Sequence, residues 1–213
     1  SEILEDMKSK KRMNRLLQGD VGSGKTVISV IALYANFLSG YQGALMVPTE
    51  ILANQHYETA SSILGNLGVK IELLVGSMSK KEKTAIHEKL KNGEIDLVIG
   101  THTLIQEDTI YKNLGLVITD EQHRFGVMQR TILRKKGKSP DVLYMSATPI
   151  PRTYALTIYG DMDISIIETL PNGRKPITTY LKNNKEIKEV LHMMYEELKN
   201  NHQIYVIAPL IEE

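Results

Sequence analysis

Short apolar runs alternate with longer amphipathic ones along this 213-residue chain. The short runs, 14–18, 43–47, 70–75, 96–99, 114–119 and 142–145, lack polar/apolar alternation, and 164–167 is a further candidate. Runs of that kind predict strands buried on both faces. Between them lie helical patterns at 27–38, 49–64, 79–91, 126–136 and 152–159, with a short one at 103–106. Local signals set several ends. Ser39-Gly40 closes the first of these helices, and Thr49 caps the second. Ser79-Lys80-Lys81-Glu82 has capping-box form. Ile3, Leu4 and Met7 stand at helical spacing in the opening polar segment. Strand-helix alternation predicts an α/β fold, a mostly parallel sheet with helices on both faces.

Residues 171–176, with two prolines and a glycine, form the expected linker. A strand (177–181), a helix (186–199) and a strand (204–208) follow it. About forty residues rarely bury a sufficient core alone. They read as the incomplete opening of a second α/β domain; the alternative is that they complete the first sheet.

The first strand runs into Gly19-Asp20-Val21-Gly22-Ser23-Gly24-Lys25-Thr26, a complete G-x-x-x-x-G-K-[ST] between strand and helix. Glycines let backbone N–H groups close round an anion, and the following helix turns its positive end to it. Lys25 would reach the β- and γ-phosphates, and the Thr26 hydroxyl would bind Mg2+. The segment therefore calls for a nucleoside triphosphate.

Strand 114–119 ends in Asp120-Glu121, at the sheet end where open parallel sheets hold ligands. Asp120 would hold Mg2+ and Glu121 would orient or deprotonate the attacking water, with Gln122 and His123 adjoining. Ser146 and Thr148 end strand 142–145; they either hydrogen-bond the acids or cap a helix. The other histidines, His56, His87, His102, His192 and His202, show no metal-type spacing and read as surface or structural.

Composition narrows the class further. There is no cysteine, which excludes disulfides, thiolate metal sites and thiol catalysis. No apolar run approaches the length of a membrane span. Net charge is +1, so a nucleic-acid partner would be met by a local groove.

The motifs together resemble a known family. Gly19–Thr26, Asp120-Glu121-Gln122-His123 and Ser146-Ala147-Thr148 are similar to motifs I, II and III of superfamily 2 helicases. RLLQGDVGSGKT, PTEILANQH, GTHTLIQ, DEQHRFGVMQR, ATPIPRT and PNGRKP resemble the RecG family of bacterial ATP-dependent DNA helicases. Transcription-repair coupling factors are the nearest cousins; they usually carry Phe where Ser23 stands and Glu where Gln122 stands. The resemblance implies a RecA-like phosphate-loop domain over 1–170 and the start of a second RecA-like domain over 177–213. It implies ATP and Mg2+ as cofactors and a cytoplasmic, monomeric protein working on branched double-stranded DNA at stalled forks and Holliday junctions. Lys25, Asp120, Glu121, Gln122 and His123 would then be catalytic, and Ser146 and Thr148 would couple hydrolysis to motion. Pro48, Thr49, Gly100, Thr101 and His102 would contact the DNA backbone. The family's wedge domain, later motor motifs and catalytic arginine are expected outside these 213 residues, so the fragment itself is expected to turn over ATP very slowly. Two other classes fit a bare phosphate loop: an ATPase that moves protein, and a nucleotide-gated module without catalysis.

Overall fold

The computed structural model describes residues 2–120, 140–148, 162–168 and 177–208. The chain divides into two compact units, Ser1–Asn172 and Gly173–Glu213.

The first unit is built on a seven-stranded sheet. Its strands are β1 (Asn14–Gly19), β2 (Gln42–Met46), β3 (Ile71–Leu74), β4 (Leu97–Gly100), β5 (Leu114–Thr119), β6 (Asp141–Ser146) and β7 (Asp163–Ile167). The order is β3-β4-β2-β5-β6-β1-β7, and every neighbouring pair is parallel. Among the described residues, four α-helices accompany it: α1 (Glu2–Lys8), α2 (Lys25–Leu38), α3 (Glu50–Leu64) and α4 (Lys80–Asn92).

Alternate residues of each central strand enter different cores, which is why the strands read as unbroken apolar runs. Leu45, Ile99, Leu116, Ile118, Leu143 and Met145 pack with Ile3 of α1, Val30 and Leu33 of α2 and Ala53 and Leu64 of α3. Ala44, Met46, Val98 and Val117 face the other way, onto Ile86 and Leu90 of α4. Leu16, Val142 and Tyr144 form a smaller apolar cluster with Met162. Both faces of the sheet are therefore covered, as expected.

Local chemistry sets the helix ends. Thr49 accepts a hydrogen bond from the Leu52 N–H at 3.3 Å and caps α3. Ser79 and Glu82 form the reciprocal box that opens α4. Helix α2 begins at Lys25 and not at residue 27, because Gly24 is the last residue outside helical geometry. The segment expected as a short helix at 103–106 is a single 3-10 turn, His102–Ile105.

Arg15 ties α1 to the sheet. Its Nε donates to Asp6 Oδ2 at 2.7 Å, and its guanidinium reaches Glu2 Oε2 at 3.2 Å and Ser165 Oγ at 2.9 Å. That network joins α1, β1 and the edge strand β7.

The second unit holds a 3-10 turn (Asn184–Glu186) and helix α5 (Ile187–Lys199), opened by an Asn183–Glu186 capping box. The strands expected at 177–181 and 204–208 are not formed. A strand exists through its neighbour's hydrogen bonds, and most apolar side chains there remain exposed, Leu181 at 99% and Ile207 at 94%. The expected helices 126–136 and 152–159 and the linker 171–176 lie outside the described residues.

Candidate active site

A parallel sheet brings all strand ends of one polarity to one edge, and the candidate residues gather there. β1 delivers the loop 20–24, β6 delivers Ser146 and β5 delivers Asp120. Gln18 lies in register with Ser146, and Thr119 with Tyr144. β6 stands between the other two, so the loop strand and the acid strand are about 10 Å apart, twice the strand spacing.

The loop is preorganised as an anion cradle. Gly22 and Gly24 have φ of 77° and 93°, backbone that an L side chain rarely adopts. Gly24 directly precedes α2, so the unpaired N–H groups of that helix open onto the loop. Lys25 Nζ donates to the carbonyls of Gly19 at 2.7 Å and Asp20 at 2.8 Å. These bonds hold the ammonium against its own loop, where a phosphate oxygen could replace a carbonyl as acceptor. Thr26 is half-buried at the start of α2.

Unpartnered polar atoms mark the same edge. Among the described residues, Gln18 Oε1, Ser23 Oγ, Thr101 Oγ1 and Thr119 Oγ1 are buried side-chain oxygens with no hydrogen-bond partner. All four stand at or just past the carboxyl ends of β1, β4 and β5. A buried polar atom left unpaired costs roughly 1–3 kcal/mol, so their grouping fits an edge completed by a polar ligand.

Asp120 continues β5 beyond its last residue, and its N–H donates to the Met46 carbonyl at 2.9 Å. Its Oδ2 lies 3.2 Å from Nε2 of His56 on α3. His56 shares the inward stripe of α3 with Ala53, Ala60 and Leu64. By spacing alone His56 reads as surface or structural; its place on the apolar stripe of α3 is the signal for a buried partner, which a histidine there needs. Glu121, Gln122 and His123 lie outside the described residues.

Ser146 and Thr148 bond each other, Oγ to Oγ1 at 2.9 Å, and the Thr148 N–H donates to Ser146 Oγ at 3.2 Å. Gln18 Nε2 donates to the Thr148 carbonyl at 3.1 Å. The hydroxyl pair is thus fastened to the end of β1, beside the cradle.

The residues expected to touch DNA backbone sit further along this edge. Pro48 and Thr49 link β2 to α3, and Gly100, Thr101 and His102 follow β4. Thr101 is buried, whereas His102 is exposed. Thr49 uses its oxygen to cap α3 and keeps a hydroxyl proton to donate. Gly100 has a reason of its own: a Cβ there would come within 2.0 Å of the Leu74 carbonyl oxygen.

A glycine cradle at a helix start, a lysine folded into it and a strand-end aspartate two strands away define a phosphate-loop nucleotide-binding domain of the RecA-like type. Thr26 and Asp120 offer hard oxygen donors of the kind Mg2+ prefers. Among the described residues no three His, Asp or Glu side chains cluster as a complete metal site, so a cation here would share its coordination with phosphate and water.

Residues 1–157 match the DEAD/DEAH box helicase family, and the chain belongs to it. Over 212 residues it is 57% identical to the ATP-dependent DNA helicase RecG of Streptococcus pneumoniae serotype 4, spanning 100% of this chain and 31% of that protein. Identity to RecG of Bacillus subtilis is 56%, again over 31% of its length. The chain thus spans about a third of the curated relatives it matches. A structure of RecG bound to a three-way DNA junction superposes with a TM-score of 0.80 at 48% identity, covering 99% of this chain and 28% of that one. Yeast Dbp5, at 20% identity and a TM-score of 0.58, shares the fold. Membership of this helicase family implies use of ATP.

Proposed function

We propose that this chain is the ATP-binding motor part of a RecG-like translocase that remodels branched double-stranded DNA in recombination and repair. Residues 1–170 form the first motor domain, 171–176 the linker and 177–213 the opening of the second. The observation that carries the reading is the convergence of the Lys25 cradle, the Ser146–Thr148 pair and Asp120 on one sheet edge. Identity to RecG across the whole chain supports the DNA-translocase assignment.

In this reading the loop 19–26 wraps the triphosphate with backbone N–H groups, and Lys25 exchanges its loop carbonyls for the terminal phosphates. Thr26 and Asp120 would hold Mg2+, whose charge would offset that of the phosphate oxygens. Glu121 takes the proton of the attacking water, and Gln122 and His123 complete the acidic box. Ser146 and Thr148, fastened to Gln18, carry a change at the cradle toward the neighbouring strand ends. Pro48, Thr49, Gly100, Thr101 and His102 supply a backbone-directed DNA grip. Thr101 would act through its main chain, since its side chain is buried, and His102 through its exposed ring. Such contacts hold phosphates without reading sequence.

The test is ATP hydrolysis by the full-length RecG-like protein carrying this chain, with and without branched DNA. Branched DNA should raise turnover, Lys25→Ala should weaken ATP binding, and Glu121→Gln should abolish hydrolysis while ATP still binds. Turnover that responds to unfolded polypeptide and ignores DNA would instead identify a protein-moving ATPase. Full turnover by Glu121→Gln would remove Glu121 from its role.

A further inference from the structure

Asp120 is gripped at two points by one structural unit. Its N–H bonds the Met46 carbonyl at the end of β2. Its carboxylate meets His56, on the helix that follows β2 after Val47, Pro48 and Thr49. His56 is 8% exposed, and the side chains of the pair are 10% and 16% exposed. A carboxylate so enclosed loses hydration that an N–H donor must replace. A carboxylate that only accepts hydrogen bonds is matched here by the imidazole tautomer with its proton on Nε2.

Helix α3 is itself held at its amino end. The Glu50 carboxylate accepts from the Ser77 N–H at 2.9 Å and from Ser77 Oγ at 2.6 Å. Ala53, Ala60 and Leu64 seat the helix in the core. The imidazole is therefore presented from a fixed support, not from a mobile loop.

We propose that His56 is a positioning residue for Asp120: its Nε2–H fixes the torsion of the carboxylate and so sets the geometry in which Asp120 receives the cation. The proposal rests on the reading of Asp120 as the Mg2+-holding acid. It assigns to α3 a part in the nucleotide site, in addition to its place beside the expected DNA grip. Partners that orient a ligating carboxylate typically contribute 10- to 100-fold to metal affinity.

The test measures binding, not turnover. ATP is titrated into the protein by calorimetry at a series of Mg2+ concentrations and in EDTA, for wild type, His56→Leu, His56→Gln and His56→Asn. His56→Leu should raise the Mg2+ midpoint by about 10- to 100-fold and leave binding in EDTA unchanged. His56→Gln, whose amide nitrogen reaches close to the position of Nε2, should stay within about threefold of wild type, while the shorter Asn should shift as Leu does. A wild-type midpoint in both Leu and Asn variants overturns the proposal. So does an equal loss of affinity with and without Mg2+, which a purely structural role would give. If His56→Leu does not fold, judged by its thermal melt, the Gln–Asn pair alone decides. Wild-type ATP affinity that ignores Mg2+ would instead overturn the reading of Asp120 itself.

Discussion

Gly100→Ala separates a packing role from a nucleic-acid role at a position that the motif pattern assigns to the DNA grip. The added Cβ would lie 2.0 Å from the Leu74 carbonyl oxygen, 3.0 Å from its carbon and 3.1 Å from Leu104 Cδ2. The first two atoms are backbone, so no rotamer change relieves the clash. Leu74 pairs with Gly100 in the β3–β4 ladder, and the Gly100 carbonyl accepts from the Val47 N–H at 2.9 Å. Moving away from Leu74 therefore strains the β2–β4 side as well. Overpacking a tight site costs about 1–3 kcal/mol, and a backbone obstacle places this one toward the upper end. For a chain of this size each kcal/mol lowers Tm by roughly 2–4 °C, so a fall of about 5–10 °C is expected. Differential scanning fluorimetry and far-UV circular dichroism would measure it without DNA or nucleotide. A Tm within about 2 °C of wild type would refute the packing argument and return Gly100 to an exclusively functional role.

Gly24→Ala tests conformation alone, because no atom lies within 4 Å of the added Cβ while φ is +93°. It should lower stability by about 1–2 kcal/mol and weaken ATP binding more than it lowers Tm; unchanged ATP affinity would count against a preorganised cradle. Asp141 accepts from the Met13 N–H at 2.8 Å. Burial pushes its carboxyl above the ordinary range, against the opposing effects of that hydrogen bond and of Arg12. Its folded pKa thus exceeds the unfolded one, so its contribution is fully present below the unfolded pKa and is lost as pH rises through the folded pKa. Asp141→Asn keeps an acceptor for Met13, so its urea midpoint should gain on wild type as pH climbs from the acid range toward neutrality; a gain that shrinks with rising pH would contradict the sign.

Legibility followed the range of each interaction. The Thr49 cap and the Ser79–Glu82 box were readable because each closes within three residues of itself. Strand ends were less so, since a ladder runs as far as its neighbours allow: β1 extends to Gly19 because β7 offers Ile167 beside it. Apolar runs at 177–181 and 204–208 looked like strands, yet a run of apolar residues is only half of a strand, and no ladder forms there.

The glycine loop proposed to cradle the nucleotide was determined by the sequence itself. Its eight residues are contiguous, and glycine geometry, lysine reach and helix start are all local properties. The family of the chain followed from how such local motifs combine. What only tertiary structure decided is what lies beside what: β6 between the loop strand and the acid strand, Gln18 bonded to Thr148 across 130 residues, and His56 on Asp120 across 64. The physical reason is that burial tells a helix only which face turns inward. Which strand end that face meets is set by sheet order, and sheet order emerges when both faces of the sheet are covered at once.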